Sequence, residues 1–360
     1  SPFDPTAFIR LVRGHESFVL TTHVNPDGDA LGSEIGFAEW LLSLGKNVRV
    51  INHSPTPYNY LFLDQPNPIV EQFDSAKHSE VLENAEIIFV LDVNDPNRTR
   101  SLEPFLQDTP SGSSLQGSTP AVPRRGQGVV AVIDHHLNAK SFANDYFLDT
   151  DACSTGELIV RLIEAARPIL GGTVTPKAAT ALYVAIMTDT GSFRFPRTTA
   201  AIFRMCADLL ELGADPVKTY HEVYNTSPPG RLLLIRDALN SLEYHYDNRM
   251  ALQCILQSDL RAAGAEEEDV DGLVQLPFQV KGIVLSVFLL ELKEGWKVST
   301  RSKDDVSAAD FAKMFGGNGH FNAAGARVRE SRTLEEMKRL IVDNAGKVLA
   351  EAGVLTPQAA

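Results

Sequence analysis

The sequence predicts an α/β protein with two domains, an open parallel sheet followed by a smaller α/β domain. Two continuous apolar runs of strand length, EIIFVLD (86–92) and GVVAVID (128–134), are typical of strands buried on both faces of a parallel sheet. Segments of helical periodicity alternate with the predicted strands, which favours a parallel sheet. The length of 360 residues is suitable for two domains, and the 44% of hydrophobic residues is enough for well-packed cores.

The first domain is predicted to cover residues 1–212 and to begin with a short amphipathic helix at 5–13. Two strands are predicted at 17–23 and 46–52, separated by a helix at 29–46 that Gly45 ends. The two apolar runs form the next strands. Three further helical patterns complete the domain, at 154–167, 176–187 and 198–212.

Two segments differ from this alternation. Residues 107–128 are rich in Ser, Gly, Pro and Thr, so we predict a flexible surface insertion there. Residues 213–240 contain Gly213, Pro216 and a Pro-Pro-Gly sequence, and we predict a linker between the domains.

The second domain is predicted at 241–355, with strands at 249–256, 283–292 and 296–302 and helices near 258–264, 307–314 and 333–351.

Charge and cysteine usage narrow the function classes. The 33 basic and 46 acidic residues leave a net charge of −13, which argues against a protein that binds long duplex nucleic acid through a basic face. A short anionic substrate is still compatible with this negative charge, because a few arginines and bound cations can reverse the sign locally.

Cys153, Cys206 and Cys254 form no CxxC pair, which favours a reducing, cytoplasmic compartment. We expect no membrane span, because no apolar run reaches about 18 residues.

Histidines and aspartates follow the predicted strands at their carboxyl ends, where open parallel sheets bind ligands. The stretch HVNPDGD places three of them within seven residues, and the others follow the two apolar runs and the helical run ALYVAIMTD. Taken singly, an Asp at the end of a strand is more often a turn residue or a helix cap. Taken together, they predict one site; the residues are His23, Asp27, Asp29, Asp92, Asp134, His135, His136 and Asp189.

Carboxylates that converge in this way repel one another and raise one another's pKa values unless cations compensate them. Imidazole and carboxylate ligands without a thiolate favour Mn²⁺, with Mg²⁺, Co²⁺ and Zn²⁺ as alternatives. The candidate ligands are too many for one ion and suit two. Two ions about 3.5–4 Å apart are the usual arrangement for displacement at phosphorus.

Five motifs carry a resemblance to a known family. HVNPDGDALGS, LDVND, VIDHH and TDTGSF resemble the four motifs of the DHH phosphoesterase superfamily, and GGNGHFNAAG (316–325) resembles the glycine-rich signature of its DHHA1 domain. The similarity covers about residues 5–350 and is greatest to the NrnA-type branch, whose members are bifunctional oligoribonucleases (nanoRNases) and 3′-phosphoadenosine 5′-phosphate phosphatases. The family's glycine run usually reads GGGGH, whereas Asn318 replaces one glycine here. Asn tolerates a left-handed backbone better than most residues.

The resemblance implies a role for each residue. His23 and Asp27 would bind one metal, Asp29, His135 and Asp189 the second, and Asp92 both. His136 would contact the substrate phosphate or donate a proton to the leaving oxygen, and Asp134 would orient a metal-bound imidazole. In the second domain, the terminal phosphate or nucleotide would be held by Arg301, Ser302, Gly316, Gly317, Asn318, Gly319 and His320.

The implied activity is that of a Mn²⁺-dependent hydrolase that degrades nanoRNA exonucleolytically and dephosphorylates 3′-phosphoadenosine 5′-phosphate. A metal-bridging hydroxide would attack phosphorus in a cleft between the domains, and Phe195 and Phe321 would stack on bases unless they are core residues. The implied partners are short single-stranded RNA or a small nucleotide. A homodimer is left open.

Three alternatives remain. The first is a phosphodiesterase for linear or cyclic dinucleotides, and the second is a hydrolase of polyphosphate or pyrophosphate. The third is a nucleotide-sensing module without turnover, against which the intact ligand set argues. The single-stranded DNA exonuclease branch is less favoured, because the sequence suggests no additional nucleic-acid-binding domain.

Overall fold

The computed structural model describes residues 3–106, 128–137 and 139–355. The predicted insertion at 107–128 therefore lies outside the described residues, apart from Gly128. The chain divides into two compact units, Ser1–Thr226 and Ser227–Ala360. Among the helices that can be described, none is long and apolar enough to cross a membrane.

The first unit contains a parallel sheet of six strands in the order β3-β2-β1-β4-β5-β6. The order reverses between the neighbours β1 and β4, so a crevice opens there at the carboxyl ends of the strands. The predicted parallel sheet is confirmed, and β3 and β6 are short strands that were not predicted. The strands are β1 (Ser17–Thr21), β2 (Asn47–Asn52), β3 (Val70–Gln72), β4 (Ile87–Leu91), β5 (Val129–Asp134) and β6 (Asp145–Leu148).

Eight helices surround this sheet among the described residues, and cores lie on both faces of the sheet. The larger core contains residues of α1, α2, α5, α6 and α7, and the smaller one contains residues of α3 and α4. The helices are α1 (Pro5–Gly14), α2 (Gly28–Ser43), α3 (Ser75–Glu83), α4 (Glu103–Leu106), α5 (Thr155–Leu170), α6 (Pro176–Asp189), α7 (Ala200–Glu211) and α8 (Pro216–Tyr224).

A glycine stripe on α2 allows this helix to pack closely against α6. Gly28, Gly32 and Gly36 recur every four residues and therefore share one face of the helix. A Cβ at Gly28 would lie 2.5 Å from Thr188 Oγ1, and one at Gly32 would overlap the carbonyl oxygen of Ala181. The stripe brings the first turn of α2, which carries Asp29, close to the last turn of α6, which carries Asp189.

Gly32→Ala is expected to destabilise the protein by about 1–3 kcal/mol, because the new methyl group must push the backbone of α6 away. Gly14→Ala is the control, since a Cβ at Gly14 meets nothing within 4 Å. Urea unfolding of both variants measures the difference. Equal midpoints for the two variants would show that α2 and α6 do not need the close contact.

The second unit has its own sheet of six strands in the order β11-β12-β10-β9-β8-β7, in which β8 and β9 pair in parallel and the other neighbours are antiparallel. The strands are β7 (Glu243–His245), β8 (Met250–Ile255), β9 (Leu285–Glu291), β10 (Trp296–Ser302), β11 (Asn318–His320) and β12 (Ala323–Val328). The helices are α9 (Pro229–Asn240), α10 (Gln257–Ala263), α11 (Ala308–Lys313) and α12 (Leu334–Glu351). Helix α12 packs on one face of the sheet, and α9 packs on the other.

The segment 213–240 contains helices α8 and α9, and the division between the units falls between them. The prolines that resemble breaks in the sequence are helix starts. Pro216 and Pro229 occupy the first turns of the two helices, and the side chain of Asp215 caps α8. Proline is favoured there because its missing N–H would have no partner within the helix.

Candidate metal centre

The predicted ligands converge at the point where the strand order of the first sheet reverses. His23 follows β1 and Asp92 follows β4, the two central neighbours. His23 Nε2 lies 3.3 Å from Asp92 Oδ2. His135 follows β5, and its Nε2 lies 3.6 Å from Asp92 Oδ1. All three side chains are almost fully buried.

Two backbone carbonyls fix the rings of His23 and His135. The Nδ1 of His23 lies 3.0 Å from the carbonyl oxygen of Val24, and the Nδ1 of His135 lies 3.3 Å from that of Ala152. When Nδ1–H donates to a carbonyl, Nε2 keeps its lone pair for a metal. His135 Nε2 also lies 3.6 Å from Asp29 Oδ2 and 3.5 Å from Asp189 Oδ2.

Among the residues that the structure describes, three sets of side chains each have ligand atoms within 4.8 Å of one another. Two of these sets share Asp92 and two share His135, so the sets form one continuous centre rather than separate sites. This arrangement fits two cations with Asp92 between them. The sets are His23–Asp27–Asp92, Asp29–His135–Asp189 and Asp92–His135–His136.

Asp92 occupies a strained position. Its φ of 59° is in the left-handed region, which costs energy for residues other than glycine, although aspartate and asparagine enter it more readily than most. The backbone N–H donates to the carbonyl of Ile133 at 3.0 Å, and Oδ1 accepts from Thr155 Oγ1 at 3.1 Å. These contacts hold the carboxylate in the centre at a conformation that the local sequence alone would not favour.

Asp27 and Asp29 each combine a structural contact with their place in the centre. Asp27 Oδ1 caps α2 by accepting from the N–H groups of Asp29 and Ala30, both at 3.1 Å. Asp29 accepts from Thr155 N at 2.8 Å and Gly156 N at 2.9 Å, which are the first N–H groups of α5. The positive end of the α5 dipole therefore faces the centre.

Asp29 and Asp189 have raised pKa values in the absence of cations. Burial, together with the charges of Asp92 and Asp189, raises the pKa of Asp29 well above its ordinary value. Burial and Asp92 raise the pKa of Asp189 to about 7. At Asp92 burial acts in the same direction, but His23, His136 and His135 outweigh it and hold the pKa below its usual range. Divalent cations would replace the protons on Asp29 and Asp189, as expected of the ligands of a metal centre.

The prediction for Asp134 is wrong in one respect. The structure places its Oδ1 2.7 Å from His136 Nδ1, whereas the Nδ1 of His135 uses a backbone carbonyl. Successive side chains of an extended chain point to opposite sides, so Asp134 shares a side with His136 and not with His135. Burial lowers the pKa of His136, but Asp134 and Asp92 more than offset this effect and raise it to about 9.

Sequence reasoning missed three residues of the centre. Thr155 and Gly156 hold Asp29 and belong to the start of α5, and the signal for them was the helix cap Ser154. Arg98 is partly buried, and its carbonyl accepts from Val24 N at 2.7 Å, beside His23. Its charge acts on both His23 and His136. The available signal was an arginine six residues after Asp92.

Glu34 is a buried acid behind the centre. Its side chain is fully buried in α2, and Oε2 accepts from Asn52 Nδ2 at 2.7 Å. Asn52 Oδ1 in turn accepts from Thr22 N at 3.1 Å, next to His23. Burial raises the pKa of Glu34 to about 8. The folded protein therefore binds this proton at neutral pH, and the unfolded chain does not.

Glu34→Gln is expected to stabilise the metal-free protein increasingly as the pH rises from about 4.5 to about 8. The raised pKa in the folded protein lowers the free energy of unfolding at any pH above the pKa that the carboxyl group has in the unfolded chain. The reason is that the unfolded chain then releases the proton more readily than the folded protein does. At pH 8 we expect a difference on the order of 4 kcal/mol. Urea unfolding in EDTA at several pH values measures it. A difference between variant and wild type that did not change with pH would contradict the raised pKa.

The residues predicted in the second unit are only partly brought together. Arg301 in β10 is partly buried and donates to the carbonyl of Thr300 at 2.9 Å. Ser302 is buried, and its hydroxyl donates to the carbonyl of Phe321 and accepts from Ala308 N, both at 3.2 Å. The two side chains alternate in burial along the strand. Ser302 holds the turn before α11, and its part beside Arg301 in binding a phosphate stays a prediction.

The glycine-rich segment is not an open loop. Asn318–His320 forms the edge strand β11, which pairs with β12, and the alternative of a following small-residue helix is wrong. Gly316 has a φ of 71°, and a Cβ at Gly317 would overlap the carbonyl oxygen of Gly325. Asn318 is exposed, and its backbone is not left-handed, so the position does not require glycine.

Phe195 and Phe321 are 49% and 51% exposed, so the alternative that they are core residues is wrong for both.

Comparison with known proteins supports the same assignment. The model of the DHH family, N-terminal domain, matches residues 17–186, and that of the DHHA1 domain matches residues 251–347. A bifunctional oligoribonuclease and PAP phosphatase NrnA from Thermus thermophilus is 31% identical over 93% of this chain and 91% of its own. The NrnA protein of Bacillus subtilis is 26% identical over 94% of this chain and 96% of its own.

A solved structure is similar over the same extent. The crystal structure of an exopolyphosphatase-related protein from Bacteroides fragilis has a TM-score of 0.85 and 26% identity, and the match covers 97% of each chain. The sequence matches extend across both compact units, and the DHH match includes every candidate ligand of the metal centre except Asp189, which lies three residues beyond it. The chain therefore belongs to the DHH family, with a DHH domain followed by a DHHA1 domain, together with the NrnA proteins.

Proposed function

We propose that the protein is a two-metal phosphoesterase that degrades short oligoribonucleotides exonucleolytically and removes the 3′-phosphate of 3′-phosphoadenosine 5′-phosphate. The observation that carries the proposal is the convergence of the ligand sets on Asp92 at the switch point of the sheet. The relatives that are named oligoribonucleases and PAP phosphatases support the choice of substrates. We also propose a cytoplasmic location, with residues 1–212 as catalytic domain, 213–240 as linker and 241–355 as substrate-binding domain.

The proposal assigns Mn²⁺ to both metal positions, because histidine and carboxylate ligands without thiolates suit this ion. His23 and Asp27 would hold one ion, and Asp29, His135 and Asp189 the other, with Asp92 between them. Bound divalent cations supply Lewis acidity at phosphorus and a nucleophile of lowered pKa. The dipole of α5 adds fixed positive potential through the N–H groups of Thr155 and Gly156.

His136 is assigned the proton transfer to the leaving oxygen. Its Nδ1 lies 2.7 Å from Asp134 Oδ1, and we assign Nε2 as the donor atom. In the metal-free protein Asp134 and Asp92 raise the pKa of His136 to about 9, and Asp134 favours the protonated ring at neutral pH. Asp134 acts through His136 and is a positioning residue. The charge of Arg98 acts on both His23 and His136, and we assign to it the neutralisation of charge on a phosphoryl oxygen.

A substrate panel tests the proposal. Hydrolysis of di- to pentaribonucleotides, 3′-phosphoadenosine 5′-phosphate, cyclic dinucleotides and polyphosphate would be compared by kcat/KM in Mn²⁺ and in Mg²⁺. We expect the short oligoribonucleotides and 3′-phosphoadenosine 5′-phosphate to be hydrolysed with the highest kcat/KM. A higher kcat/KM for polyphosphate would replace the proposal with a second candidate, a hydrolase of polyphosphate or pyrophosphate. That candidate is favoured by the resemblance to the exopolyphosphatase-related protein from Bacteroides fragilis.

A further inference from the structure

A row of polar and cationic side chains lies on the partly open face of β10 in the second unit. Along this strand the residues alternate strictly between buried and half-buried positions. The buried ones include Val298, which packs in the core with α12. The half-buried ones therefore point to the other face; they are Lys297, Ser299 and Arg301.

Strand register places a second cation beside the first. Lys297 on β10 is directly opposite Arg327 on β12. Like charges that face each other across two strands destabilise a sheet. Lys297 has a partial counter-charge in Asp271, whose Oδ1 lies 3.7 Å from its Nζ, and Arg327 is exposed. An anion bound between the two cations would remove the repulsion.

Lys297, Ser299 and Arg327 border a cavity with a floor of small residues, and Arg301 lies outside its lining. The cavity has a volume of about 310 Å³ and is lined by Lys297, Ser299, Asn318, Gly325 and Arg327, among others. Gly325 leaves room at the point opposite Ser299, because its missing side chain would otherwise project from the sheet. The cavity thus offers two cations, a hydroxyl and an amide in a protein whose net charge is −13.

We propose that this row is a track for the backbone of a single-stranded oligonucleotide, which we call the cationic track. The track consists of Arg301, Ser299, Lys297 and Arg327. Alternate residues of a strand are about 7 Å apart, which is the scale of the spacing between successive phosphates in an extended strand. The Lys297–Arg327 pair holds a phosphate about 13 Å along the strand from Arg301.

This inference rests on the proposed oligoribonuclease function and adds a length dependence to it. A mononucleotide anchored at Arg301 does not reach the Lys297–Arg327 pair, whereas an oligonucleotide of four or five residues does. Neutralising the pair therefore weakens the binding of longer strands and leaves the binding of small nucleotides unchanged. The contacts are ionic, so their loss also reduces the salt dependence of binding.

The test uses the double variant Lys297→Gln/Arg327→Gln of the full chain. Its matched control, Arg339→Gln/Lys347→Gln, makes the same change of charge on α12, the helix that packs on the opposite face. Equilibrium binding of 3′-phosphoadenosine 5′-phosphate and of di- to pentaribonucleotides is measured in EDTA, which prevents turnover. For the pentamer we expect about tenfold weaker binding and a salt slope that is smaller by about 1.4. The control should bind each ligand as the wild type does.

Two results would overturn the track. One is binding of the pentamer that is unchanged in the Lys297–Arg327 variant. The other is an equal loss for the mononucleotide and the pentamer, which would describe a nucleotide pocket without a track. Turnover of dinucleotides by the wild type in Mn²⁺ separates the two proposals. If the wild type cleaves dinucleotides but binds the pentamer no more tightly than the mononucleotide, the proposed function is retained and the track is lost. An enzyme that cleaves no oligonucleotide loses the proposed function, while the binding data still decide about the track.

Discussion

Asp92→Asn is expected to lower kcat for every substrate by at least about 10³-fold, because it removes the charge that both metal positions share. The carboxylate lies 3.3 Å from the Nε2 of His23 and 3.6 Å from that of His135. Asparagine has nearly the same shape and tolerates the left-handed backbone that Asp92 adopts. The fold should therefore persist, and the loss should be one of metal affinity and chemistry.

The variant should also bind fewer divalent ions. Metal analysis after Mn²⁺ loading and gel filtration should find about two ions per chain in the wild type and fewer in the variant. Asp95→Asn is the control, because Asp95 lies three residues further along and makes a surface ion pair with Lys140 at 2.6 Å. Two ions retained in Asp92→Asn, with kcat within tenfold of the wild type, would contradict the bridging role.

The architecture of the first unit was predictable because its strands obey simple rules. Ile87–Leu91 and Val129–Asp134 are buried nearly throughout, and a strand buried on both faces requires a continuous apolar run. Residues that follow such strands lie at one edge of the sheet. For this reason His23, Asp92 and His135 could be placed in one site without coordinates.

Features that depend on register or on backbone geometry could not be predicted in this way. The partner of Asp134 depends on the side to which the chain points after β5. The glycine stripe of α2 shows its purpose only when α6 lies against it. Lys297 and Arg327 face each other only because of the register of β10 and β12. The two residues are 30 positions apart in the sequence, so no local pattern predicts this pairing.

His136→Asn is expected to lower kcat by about 10²–10⁴-fold for natural phosphodiesters, because it removes the proton donor to a poor leaving group. The loss should be much smaller for a p-nitrophenyl ester of a nucleotide, since that leaving group departs without a proton. His221→Asn, in the exposed part of α8, is the control. An equal loss for both classes of ester would assign His136 to phosphate or metal binding instead.

The pH profile gives a second measure of the same role. In the metal-free protein Asp134 and Asp92 raise the pKa of His136 to about 9. Bound cations would offset the effect of Asp92, whereas Asp134 still favours the acid form, which is lost as the pH rises. The kcat of the wild type should therefore fall on the alkaline side. Asp134→Asn removes one of the charges that raise the pKa, so the fall should begin at lower pH, with bound metal the same in both proteins. An alkaline limb that stayed in place would mean that a group other than His136 delivers the proton.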